Sequence, residues 1–450
     1  MAFSGAIKLT DLNDFISPSQ ECIKPVQSPS VQIHSKTKSV TEAAKIDLND
    51  CLACSGCITS AEAVLVSSQG IDKFVAELEN RCPDEIIIVT VSPQTRASFA
   101  AKHNLTADQV VVGMINFFKS LGVDVLLDSN IARSVSLLNI WKEYAEFRDK
   151  SKMMLSSVCP GWICYVEKTH PELIEHLSRT TSPQQTMGIL LKDELFCDRK
   201  VYNVSVMPCY DKKLEASRDE FAREDERYVD LVLTTGEIES LMITKNVDIS
   251  SWSEIEVNKV EEPGNMLNIE GFKKYILNFD SFLYFSRLSH YGSTSGGYLE
   301  MIVKGILEEA GFDATRGLEC SNVKLISSKS KDFEEYLIQL DNKEIKVARV
   351  NGFRNIQNLM RRFKRSLKDY SFVEVMACPS GCINGGGQLK MESLTQTKEL
   401  VSKAEIVYNN SFKVEPIDYP FSNLLMQILK EKIFTSFKSI KISKTNISNW

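Results

Sequence analysis

The stretch VEVMACPSGCINGGGQ, Val373 to Gln388, sets an apolar, β-prone run directly before two cysteines four positions apart and three consecutive glycines. Glycine has no Cβ and tolerates positive φ, so a strand that stops in such a turn brings its backbone close to another group. Cysteines at that edge point to a metal. A hairpin with two buried thiols is the alternative that this stretch leaves open.

With 450 residues there is room for two or three domains, and a 43% hydrophobic content is enough to build cores for them. The 53 basic and 59 acidic residues are well mixed and leave a formal charge of -6. No broad basic field for nucleic acid or an anionic membrane follows from that balance. The opening MAFSGAIKLTDLNDF lacks the basic and apolar regions of a secretory signal, and no later apolar run reaches the ~18 residues of a membrane span. The expected compartment is the cytosol, with the nucleus also open to it. In such a reducing setting the twelve cysteines are expected to be metal ligands or redox groups where they cluster, not a disulfide framework. Five histidines, none paired at i,i+4, argue against a histidine-rich site.

The segment KPVQSPSVQIHSKTKSVTEAAK, Lys24 to Lys45, is rich in Ser, Lys and Pro and reads as a loop between two short ligand-bearing segments. From Glu85 onward, β-rich runs alternate with helical patterns: EIIIVTV (85–91), VDVLL (123–127), KMMLSSV (152–158), KVYNVSVM (200–207), VDLVLT (229–234), KVARV (346–350) and FVEVM (372–376). That alternation predicts an α/β fold of parallel sheets covered by helices. DQVVVGMINFFKSLG (108–122) spaces Val111, Met114, Ile115, Phe118 and Leu121 as one helical core face. The basic helix IQNLMRRFKRSLKDY (356–370) reads as a solvated face.

Three β-runs end in cysteine: Cys159 follows Val158, Cys209 follows Met207-Pro208, and Cys378 and Cys382 follow Met376. In open α/β sheets a ligand sits beyond the carboxyl ends of the strands, so four thiolates from three strand ends can converge. They complement a 4Fe-4S cluster or a structural zinc, and spacing alone does not separate the two. A second set is local: Cys51, Cys54 and Cys57 form C-x2-C-x2-C, which wraps three corners of a cubane. Ala61 stands where bacterial ferredoxins place the next cysteine, leaving Cys22 and Cys82 as candidates for the fourth ligand. Cys164, Cys197 and Cys320 stand alone and read as buried, inert thiols.

SSVCPGW, MPCYDKKLE and EVMACPSGCINGGGQ resemble, in order, the three segments that hold the active-site cluster of iron-only hydrogenases. YGSTSGGYLE (291–300) resembles a further segment, so the likeness runs from about residue 85 to 390. Val158 stands where those enzymes have the cysteine that relays protons, and valine cannot carry one; hydrogen turnover is therefore not expected. Lys212 and Glu215 match the hydrogenase pattern, or form an ordinary polar pair at helical spacing. SGAIKLTDLNDFISPSQECIKP followed by C-x2-C-x2-C resembles the eukaryotic hydrogenase-like proteins of the nuclear prelamin A recognition factor family, whose cytosolic member works in iron-sulfur protein assembly.

The resemblance implies two α/β lobes with parallel sheets around a buried 4Fe-4S cluster on Cys159, Cys209, Cys378 and Cys382. A second 4Fe-4S cluster falls on Cys22, Cys51, Cys54 and Cys57 in a small N-terminal segment, and Cys82 drops out. The implied division is residues 1–80 for that segment, 81–400 for the two-lobed domain and 401–450 for a helical extension and tail. The function implied is a non-enzymatic adaptor in maturation of extramitochondrial iron-sulfur proteins, between the scaffold that builds clusters and the targeting complex that inserts them. Trp450, in Ile447-Ser448-Asn449-Trp450, reads either as an anchor to that complex, a pattern Ser448 and Asn449 fit poorly, or as a frayed terminus. The rival readings are a redox or electron-transfer protein, a vestigial hydrogenase, and a prelamin-type protein-binding factor.

Overall fold

The computed structural model describes residues 66–440 apart from 151, 224–225, 258–261, 263–267, 342 and 364–368. Nine strands organise it: β1 Ile86–Val91, β2 Val125–Asp128, β3 Met154–Leu155, β4 Val201–Met207, β5 Leu231–Thr234, β6 Val323–Ser330, β7 Phe333–Leu340, β8 Lys343–Asn351 and β9 Phe372–Met376. One sheet has the order β2-β1-β4-β5 and is parallel throughout. The other has the order β3-β9-β8-β7-β6.

In β1 every residue is buried, the continuous apolar run that a parallel strand covered on both faces requires. Ile87, Val89 and Val91 enter one core, and Ile86 and Ile88 enter the core on the opposite face. Removing each such side chain from water contributes about 1.5–3 kcal/mol. The helix Pro93–His103 starts from the Ser92 hydroxyl, with Pro93 at its first position, and Ala107–Ser120 starts from a Thr106–Gln109 capping box. The predicted face of that second helix is observed: Val111, Met114, Ile115 and Phe118 are buried, and Leu121 packs beside them.

The second sheet is mixed. β3, β9 and β8 run parallel, whereas β7 and β6 are antiparallel to their neighbours. The expectation of parallel sheets therefore holds for the first sheet and for part of the second. KMMLSSV contributes two paired residues, Met154 and Leu155, before the chain leaves the sheet toward Cys159. Leu155, Ala348, Val350, Val373 and Val375 pack against Trp162, Ile163, Ile356 and Leu359 on one face. The helix Asn130–Asp149 joins the two halves: Ile131, Ala132 and Val135 belong to a core of the first sheet, and Leu137, Ile140 and Tyr144 to a core of the second. No helix among the described residues is long and apolar enough to cross a membrane.

Candidate metal centre

The carboxyl ends of three strands deliver the four cysteines. Beyond β3 the chain is anchored by Ser156, whose hydroxyl accepts from Val375 N and whose carbonyl accepts from Trp162 Nε1. Cys159 then caps the helix Pro160–Thr169, and its sulfur accepts from Ala377 N at 3.3 Å. Cys209 follows β4 and Pro208, Cys378 follows β9, and Cys382 lies in the short turn Gly381–Asn384.

The glycine run answers to contact, not to flexibility. A Cβ on Gly385 would lie 2.3 Å from Pro208 O, and one on Gly387 would lie 2.6 Å from Thr234 Cγ2. Gly387 N donates to Pro208 O at 2.9 Å, and Gly236 N donates to Gly387 O at 2.9 Å. The cysteine-bearing turn of the second sheet is thereby fastened to the ends of β4 and β5 in the first.

The four cysteine residues keep partial accessibility, while burial dominates the chemistry of their thiols. Burial pushes Cys209 and Cys378 well above the ordinary thiol value, with the neighbouring Asp211 and the other cysteines of the set adding to it. Cys159 is raised by burial and Cys382 is pushed up to about 12, again by burial and then by Cys159. Cys209, Cys378 and Cys382 thus each feel the charge of another member of the quartet. Asp211 is itself buried, which pushes its carboxyl up to about 6. Backbone N–H groups of Ala377 and Trp162 toward Cys159, of Gly386 toward Cys378, and the Lys212 ammonium near Cys159 and Cys382 work in the opposite sense, favouring thiolate.

Among the described residues no three His, Cys, Asp or Glu side chains are drawn together closely enough to hold a single ion. Cys159, Cys209, Cys378 and Cys382 nevertheless lie near enough for their charges to act on one another. The quartet's donor chemistry fits a 4Fe-4S cluster: four sulfurs, backbone amides aimed at them, and a cation beside two of them. A cluster there would supply redox-active iron and the positive charge that converts these thiols to thiolates.

Lys212 and Glu215 form an ion pair of 2.7 Å on the helix Asp211–Ala216. Glu215 Oε1 also accepts from Ser182 Oγ at 2.5 Å and from Gln184 Nε2 at 3.3 Å. Val158 is buried among Leu137, Met154 and Tyr298.

Cys22, Cys51, Cys54, Cys57 and Trp450 lie outside the described residues. Cys164 and Cys320 are buried as expected, but Cys197 is exposed, as is Cys82. Cys197 sits just past the helical stretch ending at Leu195, where Asp198, Arg199 and Lys200 carry the chain over the surface into β4. Sequence reasoning missed Ser295, whose hydroxyl accepts from Cys382 N at 3.0 Å, although the glycine-rich segment containing it was singled out. It also passed over Asp211, two positions after Cys209.

A model of the family "Iron only hydrogenase large subunit, C-terminal domain" matches residues 85–386, the span that holds this site. The cytosolic iron-sulfur assembly component 3 of Rattus norvegicus is 40% identical, covering 93% of this chain and 91% of that protein. This chain belongs to the iron-only hydrogenase-like family. Within the family, the cytosolic Fe-S cluster assembly factor narfl of Xenopus tropicalis is also 40% identical, covering 91% of this chain and 89% of that protein. The fold is similar to that of a variant of the apo FeFe-hydrogenase HydA1 from Chlamydomonas reinhardtii, with a TM-score of 0.65 at 20% identity, covering 83% of this chain and 99% of the other.

Proposed function

We propose that this chain is a component of the cytosolic iron-sulfur protein assembly machinery, an adaptor that carries two 4Fe-4S clusters and performs no catalysis of its own. Cys159, Cys209, Cys378 and Cys382 hold the deep cluster. Cys22, Cys51, Cys54 and Cys57 hold the other, on residues 1–80. Residues 81–400 are the two-lobed body, and 401–450 form an extension in which Trp450 docks to the targeting complex that receives clusters. The early scaffold is the other partner. The working compartment is the cytoplasm, with the nucleus open to it.

The observation that carries this reading is the quartet itself, four cysteines from three strand ends in a site where the residue before Cys159 is a buried valine. Ligands drawn from distant strands make metal binding part of folding, so the deep cluster ties the two sheets together. Val158 offers no proton, which speaks for a structural or delivery role over hydrogen chemistry. The assembly-factor names of relatives at 40% identity point the same way.

The test is complementation in cells depleted of their own factor, read as the activity of a cytosolic iron-sulfur enzyme. The native chain restores it, and Cys54→Ala and Cys378→Ala each fail. Full rescue by both variants would overturn the reading.

A further inference from the structure

A cleft of about 730 Å³ opens between the glycine-rich loop, the end of β8 and the turn that carries Ser380. Glu300, Glu334 and Arg349 line it, and the same guanidinium reaches the buried Glu374. Arg349 pairs with Glu300, with Glu334 at 3.2 Å and with Glu374 at 3.4 Å. Lys304, Arg316 and Lys331 also line the cleft, but six acidic side chains line it against four basic ones, so an excess of negative charge remains; burial followed by Glu300 raises the carboxyl of Glu374 against the pull of Arg349.

Two acceptors in this cleft have no donor. Asn351 is 6% exposed and its Oδ1 has no hydrogen-bond partner. Glu300 Oε2 is likewise buried and unpartnered, its other oxygen being held by Arg349. A buried acceptor without a donor is costly, more so when it is charged, so the site is complete once a donor group enters. Both orphans accept and neither donates, which selects a cation rich in N–H. The rim supplies one exposed apolar side chain: Tyr291 lines the cleft at 51% exposure.

We propose that this cleft receives an arginine or lysine side chain presented on a segment of a partner protein, with an apolar neighbour of that side chain resting on Tyr291. The planar guanidinium, with five donors, matches the two orphan acceptors better than an ammonium does. The site stands apart from the cluster assignment, but its wall is shared with it. Ser295 lines the cleft and holds Cys382 N, and Ser380, two residues after Cys378, lines it as well. A basic segment seated here would lie against the turn that carries two of the four cysteines.

The experiment is fluorescence anisotropy of the full-length protein with a labelled, capped peptide Ala-Leu-Arg-Tyr-Ala and its citrulline twin, which keeps the shape and loses the charge. The arginine peptide is expected to bind about tenfold more tightly, the equivalent of one charge-assisted hydrogen bond. Glu300→Gln and Asn351→Leu should each abolish that preference, while Glu344→Gln, an exposed position at the other end of β8, leaves it intact. Asn351→Asp adds charge to an acceptor already in place and should strengthen arginine binding, a gain that misfolding cannot produce. Equal binding of the two peptides, or a preference that survives both cleft variants, would overturn the proposal. Agmatine alone competing as well as the whole peptide would also overturn it, by making a free small cation the ligand.

Discussion

The Lys212 ammonium donates to the carbonyl oxygen of Val158 at 3.2 Å, so the helix that follows Cys209 is tied to the residue that precedes Cys159. The same ammonium pairs with Glu215, and the two side chains are 12% and 6% exposed. A polar pair that looks like ordinary helical spacing in sequence is, in the fold, a clamp between two cysteine-bearing loops.

Removing that cation strands a buried carboxylate. Lys212→Met should lower stability by about 3 kcal/mol, the scale of breaking a buried pair from one side, and Lys212→Arg should lose less because the charge remains. Urea unfolding of the three proteins measures this. Equal stability of native and Lys212→Met would show that Glu215 is satisfied by Ser182 and Gln184 alone.

The glycine run makes a steric prediction. Gly385→Ala forces a methyl to within 2.3 Å of Pro208 O, whereas at Gly70 nothing lies within 4 Å of an added Cβ. Gly385→Ala should cost about 1–3 kcal/mol by overpacking and should lower the iron retained on purification, with Gly70→Ala as the near-neutral control. Thermal unfolding and iron content, measured together, decide whether the contact is as tight as described.

His290 sets an acid limb. Burial, then the nearby Arg133, hold its imidazole down at about 3 against an ordinary 6.5. The unfolded chain takes up a proton near 6.5 that the native protein refuses until about 3, so stability is full above 6.5 and falls through that window. The slope is at most about 1.4 kcal/mol per pH unit. His290→Gln should flatten it in urea titrations at pH 7, 5.5 and 4.5, and an unchanged slope would assign the acid sensitivity elsewhere.

Thiol mapping separates surface from core. Iodoacetamide should label Cys82 and Cys197 in the native protein and leave Cys164 and Cys320 unmodified until urea is added. Mass spectrometry of the tryptic peptides reads this directly, and fast labelling of Cys164 would place the helix Pro160–Thr169 differently.

Much of this was legible in the chain itself. Continuous apolar runs such as EIIIVTV announce parallel strands because both faces are covered, and the cysteines at their ends announce a shared site because parallel strands point the same way. The strands β6 and β7 escaped notice: VKLISSKS and FEEYLIQL mix charge into partly exposed strands of a hairpin, so neither the length nor the purity of the apolar signal survives. Cys197 misled because its neighbours Leu195 and Phe196 are buried, and no local pattern marks where the chain turns outward. Asn351 and Glu300 could not be paired from sequence, since they meet in one cleft through a strand end and a helix start 51 positions apart.

The proposed pair of clusters on two cysteine quartets is tested by iron and acid-labile sulfide per chain, on protein purified without oxygen. The native chain should carry about eight of each, and Cys54→Ala and Cys378→Ala should each lose about half. Zinc in place of iron, or iron that ignores both substitutions, would contradict the account.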